Sequence, residues 1–351
     1  MVGRIVAANT TLPILNNLLI KTENGSLQIS STNLEIAITT QIRCKIENEG
    51  QMTVTSKTFG ELVSNLPNKN IVIESVNGQV SVVAENYQTT IKTLPAEEFP
   101  LIPEIESREK ISLDAQALKS AIDQVVFAVS TNQTQPEITG VLFGFEAGLL
   151  RLVATDRYRL AEKKLSLTNH SGGQQEIIVP HKTVLELSRI IGPQKGVVEI
   201  MISETQVAFG FNETRIISRL VDGQYPDYKQ IIPAEFSTRI VLDRQALVGA
   251  LKTSSIFSQG TNSVKLEYDP ADQKLVLVTE SQELGKSVVN LESKVEGVKG
   301  VVILNHRYVL DCLAGVSAEN VIIKILNDSS PSLIVPEDDE TYLYLVMPIK
   351  S

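Results

Sequence analysis

Three stretches of the chain read alike: Val54-Thr55-Ser56-Lys57-Thr58-Phe59-Gly60-Glu61-Leu62, Val179-Pro180-His181-Lys182-Thr183-Val184-Leu185-Glu186-Leu187, and Leu304-Asn305-His306-Arg307-Tyr308-Val309-Leu310-Asp311-Cys312. Each gives an apolar strand end, a short turn, a basic residue (Lys57, Lys182, Arg307) and a helix with an acid in its first turns (Glu61, Glu186, Asp311). The spacing is about 125 residues, whereas solenoid units run about 20 to 50. The period is that of a domain, so the chain reads as three similar domains.

Two further sets agree. Leu27-Gln28-Ile29-Ser30-Ser31-Thr32 matches residues 150–155 and 275–280. Ile111-Ser112-Leu113-Asp114-Ala115-Gln116-Ala117-Leu118 matches Ile240-Val241-Leu242-Asp243-Arg244-Gln245-Ala246-Leu247, with Asp114 and Asp243 placed as helix N-caps. Shifted back one period, this last segment falls about 14 residues before Met1. The expectation is a first copy without its opening strand and the start of its first helix, residues 2–7 being the stub. A shortened chain or a late start codon is the expected reason, with natural truncation as the alternative.

Outside the repeat, short β-branched or alternating runs at 71–73, 80–83, 150–153, 197–202 and 275–278 read as strands. Turn signals such as Asn24-Gly25, Asn77-Gly78, Ala147-Gly148 and Asp222-Gly223 punctuate them. Apolar residues recurring at three and four predict helices at 57–66, 114–127, 182–191, 245–254 and 307–313. Many strands with a few short helices give an α+β class. Pro-bearing junctions place the domains at 1–107, 108–235 and 236–351.

Composition sets the bounds. Of 351 residues, 42% are apolar and 21% charged, which fits a globular chain. No apolar run reaches the length of a membrane span, and the N-terminus lacks a signal-peptide pattern. With no tryptophan, aliphatic β-branched residues must fill most of the core. Cys44 and Cys312 are expected to be two small buried hydrophobes in a reducing cytosol. A net charge of −9 argues on its face against a nucleic-acid partner.

Five strings then take on meaning together: Thr11-Leu12-Pro13-Ile14-Leu15, Thr93-Leu94-Pro95-Ala96-Glu97-Glu98-Phe99-Pro100, Val153-Ala154-Thr155-Asp156-Arg157-Tyr158-Arg159-Leu160-Ala161, Leu220-Val221-Asp222-Gly223-Gln224-Tyr225-Pro226-Asp227-Tyr228 and Leu345-Val346-Met347-Pro348-Ile349-Lys350. Their order and spacing resemble the DNA polymerase III β subunit family, the bacterial sliding clamps, over the whole chain apart from the missing start. The resemblance implies a head-to-tail homodimer. Two chains of three domains would form a ring around double-stranded DNA, with strands outside and helices lining the hole. It implies a non-catalytic subunit, without cofactor or metal, acting in the cytoplasm. Its partners would be the replicative polymerase, a clamp loader and other replication or repair proteins carrying a short clamp-binding peptide.

A clamp needs topology more than affinity, since many strong phosphate contacts would arrest sliding. A modest basic lining inside an acidic exterior reconciles −9 with DNA. Candidate DNA-facing residues are Lys57, Lys182 and Arg307, then Arg4, Lys119, Arg189 and Lys252 on other helices, with Asn9, Asn132 and Gln135 on loops. Asn9 and the loop 131–137 depart from the arginine and the aromatic or basic residues found there in the family, so contacts would be weaker and neutral. The family's partner-peptide pocket maps to Ile138, Thr155, Arg157, Tyr158, Arg159, Leu160, Pro226, Gln230, Ile231, Ser332, Leu345, Met347, Pro348 and Ile349. Apolar burial in a preformed groove would supply most of the binding energy. Arg157 replaces a glycine common in the family, and would narrow one edge. Ile91, Ile256 and Phe257 map to the contact between chains.

Two other readings compete. His170, His181 and His306 lack metal-ligand spacing, and no phosphate loop or nucleophile elbow is present. An enzyme would have to rest on Asp156 with Arg157 and Arg159, a group read here as a surface ion pair. A β-rich scaffold that has lost ring formation draws support from the missing start and the altered loops. Retained catalytic activity would favour the first, and a stable monomer the second.

Overall fold

The computed structural model describes residues 1–351 except 7–11, 24, 106–109, 168–172, 259 and 351. Asn9, Thr11, His170 and the first domain boundary lie outside the described residues.

The helices fall where the apolar spacing put them: α1 (Ser56–Asn65), α2 (Ala115–Val125), α3 (His181–Ile191), α4 (Arg244–Ser255) and α5 (His306–Ala314). Asp243 caps α4 by accepting the Ala246 N–H at 2.6 Å, and Asn305 caps α5 through the Arg307 N–H at 3.0 Å. Such caps are each worth about 1 kcal/mol. The helix expected over 114–127 tightens after Val125 into a 3-10 turn, Val126–Ala128. At the N-terminus Val2–Ile5 forms a 3-10 turn, with Val2 and Ile5 buried and the Ser31 hydroxyl donating to the Val2 carbonyl at 2.5 Å.

The chain packs as two compact units, Met1–Gln116 with Arg189–Leu220, and Ala117–Ser188 with Val221–Ser351. The first holds an eleven-stranded sheet. Its order is Val72–Val76, Gln79–Ala84, Tyr87–Leu94, Gln51–Thr55, Asn17–Glu23, Ser26–Thr32, Ile36–Arg43, Thr214–Arg219, Gln206–Phe211, Val197–Ile202 and Ile111–Asp114. The second holds a nine-stranded sheet: Gln175–Pro180, Gly140–Glu146, Leu149–Thr155, Arg159–Ser166, Tyr342–Val346, Ser332–Pro336, Asn320–Ile325, Thr238–Asp243 and Lys294–Gly297. It also has a four-stranded sheet, Gly285–Glu292, Lys274–Ser281, Ser263–Asp269 and Gly300–Asn305.

Both large sheets run across a junction between sequence repeats. Strand Ile36–Arg43 of the first copy pairs with Thr214–Arg219, the last strand of the second, with Ile38 opposite Ile216. Strand Arg159–Ser166 of the second copy pairs with Tyr342–Val346, the last strand of the third, with Leu160 opposite Leu345. The two clasps are equivalent under the repeat. They explain why the compact units cut through the middle copy: its two halves are hydrogen-bonded into different sheets.

In the third copy α4 and α5 cover one face of the four-stranded sheet. Leu247, Leu251, Val309 and Leu313 are buried with the alternating Val264, Leu266, Leu275, Leu277, Val302 and Leu304. Each such side chain contributes roughly 1.5–3 kcal/mol. Cysteine usage differs from expectation. Cys312 is buried, but Cys44 is exposed, just past strand Ile36–Arg43, whose last three residues are themselves exposed.

Candidate peptide groove and nucleic-acid interface

Residues 155–159 link two strands by a turn built from short polar side chains. The Thr155 hydroxyl donates to the Arg159 carbonyl at 2.7 Å and accepts the Arg157 N–H at 3.1 Å. Asp156 Oδ1 accepts the N–H groups of Tyr158 and Arg159, both at 3.0 Å. Such a turn forces its middle residue into left-handed space, and Arg157 has φ +77°. The sequence difference at this position now has a physical meaning. Glycine suits the site because it carries no Cβ.

Below the turn lies a buried apolar cluster of Ile138, Leu142, Val153, Leu160, Ile178, Tyr225, Tyr228, Leu333 and Leu345. Three expected pocket residues, Ile138, Leu160 and Leu345, are thus its floor. Thr155 and Ser332 are also buried, Ser332 opposite Val346 on the neighbouring strand. Above the floor stand the exposed side chains: Tyr158 at 59%, Met347 at 37%, Ile231 and Ile349. The Met347 N–H donates to the Tyr158 carbonyl at 2.8 Å, which fixes the two beside each other. Ile349 continues along strand Gly300–Asn305, donating to the Ile303 carbonyl at 2.8 Å, and Pro348 lies between.

Pro226, Gln230 and Ile231 come in on a segment held by its tyrosines. The Tyr225 hydroxyl donates to the Val153 carbonyl at 3.4 Å, and the Tyr228 hydroxyl donates to buried Glu162. Burial first, then that hydrogen bond and the carboxylate's charge, push the Tyr228 hydroxyl far above its ordinary range. The sequence reading missed both anchors. The Tyr-Pro-Asp-Tyr string, read as a Pro-bearing junction, carries no sign that its tyrosines point inward.

Asp156 and Arg159 are not the surface ion pair expected of them. Their side chains are 16% and 12% exposed, and Arg157 takes no part. Arg159 Nε donates to Asp156 at 2.9 Å, one terminal nitrogen to Asp311 on α5 at 2.6 Å, and the other to the Phe127 carbonyl at 2.7 Å. The guanidinium also lies 4.4 Å from the Tyr308 ring centroid and 5.5 Å from that of Phe127. The arginine's pKa is raised: burial opposes the charge, but the Asp311 bond and neighbouring charges outweigh it.

The repeated basic residues occupy one structural position. Lys57, Lys182 and Arg307 are each the second residue of their helix, α1, α3 and α5, and all three are exposed. Arg4, Arg189 and Lys252 are exposed too, while Lys119 is half-buried and paired with Asp123 one turn along α2. Asn132 is exposed, but its carboxamide oxygen accepts from Thr134, and Gln135 is half-buried. Ile256 is 61% exposed just beyond α4 with Phe257 beside it, while Ile91, on strand Tyr87–Leu94, is buried. Among the described residues no group of three His, Cys, Asp or Glu side chains could hold a metal, and no helix is long and apolar enough to cross a membrane.

Comparison with known proteins accounts for the whole chain. The DNA polymerase III beta subunit N-terminal domain matches residues 1–103, its central domain 112–227 and its C-terminal domain 229–350. The beta sliding clamp of Bacillus subtilis (strain 168) is 30% identical over 360 residues, covering 99% of this chain and 95% of that protein. The beta sliding clamp of Synechococcus elongatus is 28% identical over 100% of this chain and 95% of that protein. Among solved structures, a DnaN sliding clamp from Pseudomonas aeruginosa bound to griselimycin matches at TM-score 0.95 and 28% identity, covering 100% of this chain and 95% of that one. The Thermotoga maritima DNA polymerase III beta subunit matches at 0.93 and 26%, over 100% and 95%. With its threefold repeat, its clasped sheets and these full-length likenesses, the chain belongs to the beta sliding clamp family, the beta subunits of bacterial DNA polymerase III.

Proposed function

We propose that two copies of this chain close into a ring around duplex DNA, and that the groove beside Tyr158 and Met347 takes short apolar-anchored peptides from the replicative polymerase and other replication or repair partners. The chain acts as a non-catalytic processivity subunit in the cytoplasm. Its three domains are assigned to 1–107, 108–235 and 236–351, and a clamp loader would open the ring.

The observation that carries the ring is the repeated clasp. Strands Ile36–Arg43 and Arg159–Ser166 each pair with the last strand of the following copy. The equivalent strand of the third copy is Gly285–Glu292, which among the described residues pairs only with Lys274–Ser281. The equivalent last strand of the first copy is Tyr87–Leu94, whose residues 87–92 pair, among the described residues, on one side only. Two complementary edges are left over, and an unpaired edge is a template for another chain. Joining the third copy of one chain to the first copy of a second closes the set by head-to-tail contacts. Ile256 and Phe257 flank that junction as its apolar contacts.

Lys57, Lys182 and Arg307 supply a thinly spread positive lining. On closed circular DNA, wild-type clamp placed by a loader is expected to stay bound through gel filtration, and to run off when the circle is cut. Lys57→Glu, Lys182→Glu and Arg307→Glu together should shorten retention. A light-scattering mass of one 38.5 kDa chain at micromolar concentration, or equal retention on cut and closed DNA, would refute the ring.

A further inference from the structure

We infer that Arg159 is a positioning residue of the groove. It ties the groove's turn to α5 through Asp311. This rests on the groove reading above.

The turn 155–159 has a twin. In the first copy Thr32 donates to the Ile36 carbonyl at 3.1 Å and accepts the Leu34 N–H at 3.0 Å. Asn33 accepts the N–H groups of Glu35 and Ile36 at 3.0 and 2.8 Å, and Leu34 has φ +73°. Even the clasp repeats: the Arg219 N–H donates to the Glu35 carbonyl at 2.9 Å, as Met347 does to Tyr158 at 2.8 Å. The twin achieves all this with Ile36 where the second copy has Arg159. The guanidinium is therefore not needed to form the turn or the clasp.

What the arginine adds is a tether. Its three kinds of nitrogen reach three places: Asp156 in the turn, Asp311 on α5 and the Phe127 carbonyl just past α2. Its faces rest on Tyr308 and Phe127. A planar fork with five donors suits this, and a lysine's point charge does not. The guanidinium is engaged by Asp156, Asp311, the Phe127 carbonyl and two rings with no ligand present. Asp311 is the third copy's version of the repeated acid, here turned to hold the neighbouring copy's turn. The tether keeps the Tyr158–Met347 pair, the exposed wall of the groove, in register with α5 before any ligand arrives. Binding then loses less to ordering.

The probe is griselimycin, which the Pseudomonas aeruginosa clamp binds, titrated by calorimetry into full-length protein. Arg159→Lys, Arg159→Ala and Asp311→Asn are each expected to weaken binding about tenfold, and Arg159→Ala with Asp311→Asn no further than the worse single change. In the free proteins, hydrogen exchange of the Met347 amide should speed up by a similar factor, with α4 and the core strands as protected as in wild type. If Asp311→Asn binds like wild type while Arg159→Ala does not, the arginine contacts the ligand and the inference is wrong. Unchanged Met347 exchange in both single variants also overturns it. If wild-type protein fails to bind the probe, the groove reading fails, and the exchange experiment still judges the tether.

Discussion

Arg157 offers a direct test of the turn. Its φ of +77° places a Cβ against the backbone at a cost of about 1–2 kcal/mol. The side chain is exposed, and among the described residues only its N–H, bonded to Thr155, holds it. Arg157→Gly removes the strain but makes the unfolded chain more flexible, which returns roughly 0.5–1 kcal/mol. The net gain should be about 0.5–1 kcal/mol, or a rise in Tm of about 1–3 °C for a chain of this size. Scanning calorimetry measures it. Arg157→Ala is the control: it deletes the charge and the stem but keeps the Cβ, so Tm should not rise. Leu34→Gly in the twin turn, φ +73°, should gain a similar amount, because the leucine is also exposed and gives up little apolar contact. An equal rise for alanine and glycine, or no rise for glycine, would show that backbone strain is not what Arg157 contributes.

Three other outcomes are expected. Removing residues 347–350 takes away Met347 and Ile349 while sparing the last strand, so griselimycin binding should be lost with Tm within a few degrees of wild type. Retained affinity would move the site elsewhere. Ile256→Asp puts a charge on the exposed apolar contact and should shift the light-scattering mass towards one chain, whereas an unshifted dimer would remove this residue from the junction. Alkali should unfold the protein early: burial raises the Cys312 thiol to about 12 and pushes the Tyr228 and Tyr344 hydroxyls up from their ordinary range. Groups raised in the folded state contribute in full below their unfolded values and lose that contribution as pH climbs through the folded ones. Tm should therefore fall from about pH 9 upward, and Cys312→Ala should flatten the first part of that fall between pH 9 and 10. An identical slope would exclude the thiol.

Much of this could be read in the chain. The three copies, the five helices and the cap at Asp243 follow from local chemistry: apolar spacing, a side-chain oxygen before a helix, a basic residue after a turn. The proposed groove was legible only as a set of matched positions. That Ile138, Leu160 and Leu345 would be floor and Tyr158 and Met347 wall depends on which side of a strand each faces. The inward turn of Tyr225 and Tyr228 left no pattern at all. Cys44 was misjudged because composition favours buried cysteine, while its exposure is decided by where one strand outruns its cover.

By itself the sequence determined that one module is written three times, and with it the α+β class and the common place of Lys57, Lys182 and Arg307. Only the tertiary structure decided that a strand of the first copy and one of the second clasp the last strand of the copy that follows, that among the described residues two edges stay unpaired, and that Arg159 reaches Asp311, 152 positions away. The reason is that sheet pairing is made by backbone N–H and C=O groups every residue carries, so a strand's own letters do not name its partner. A guanidinium's partners are likewise whatever the finished packing brings within reach.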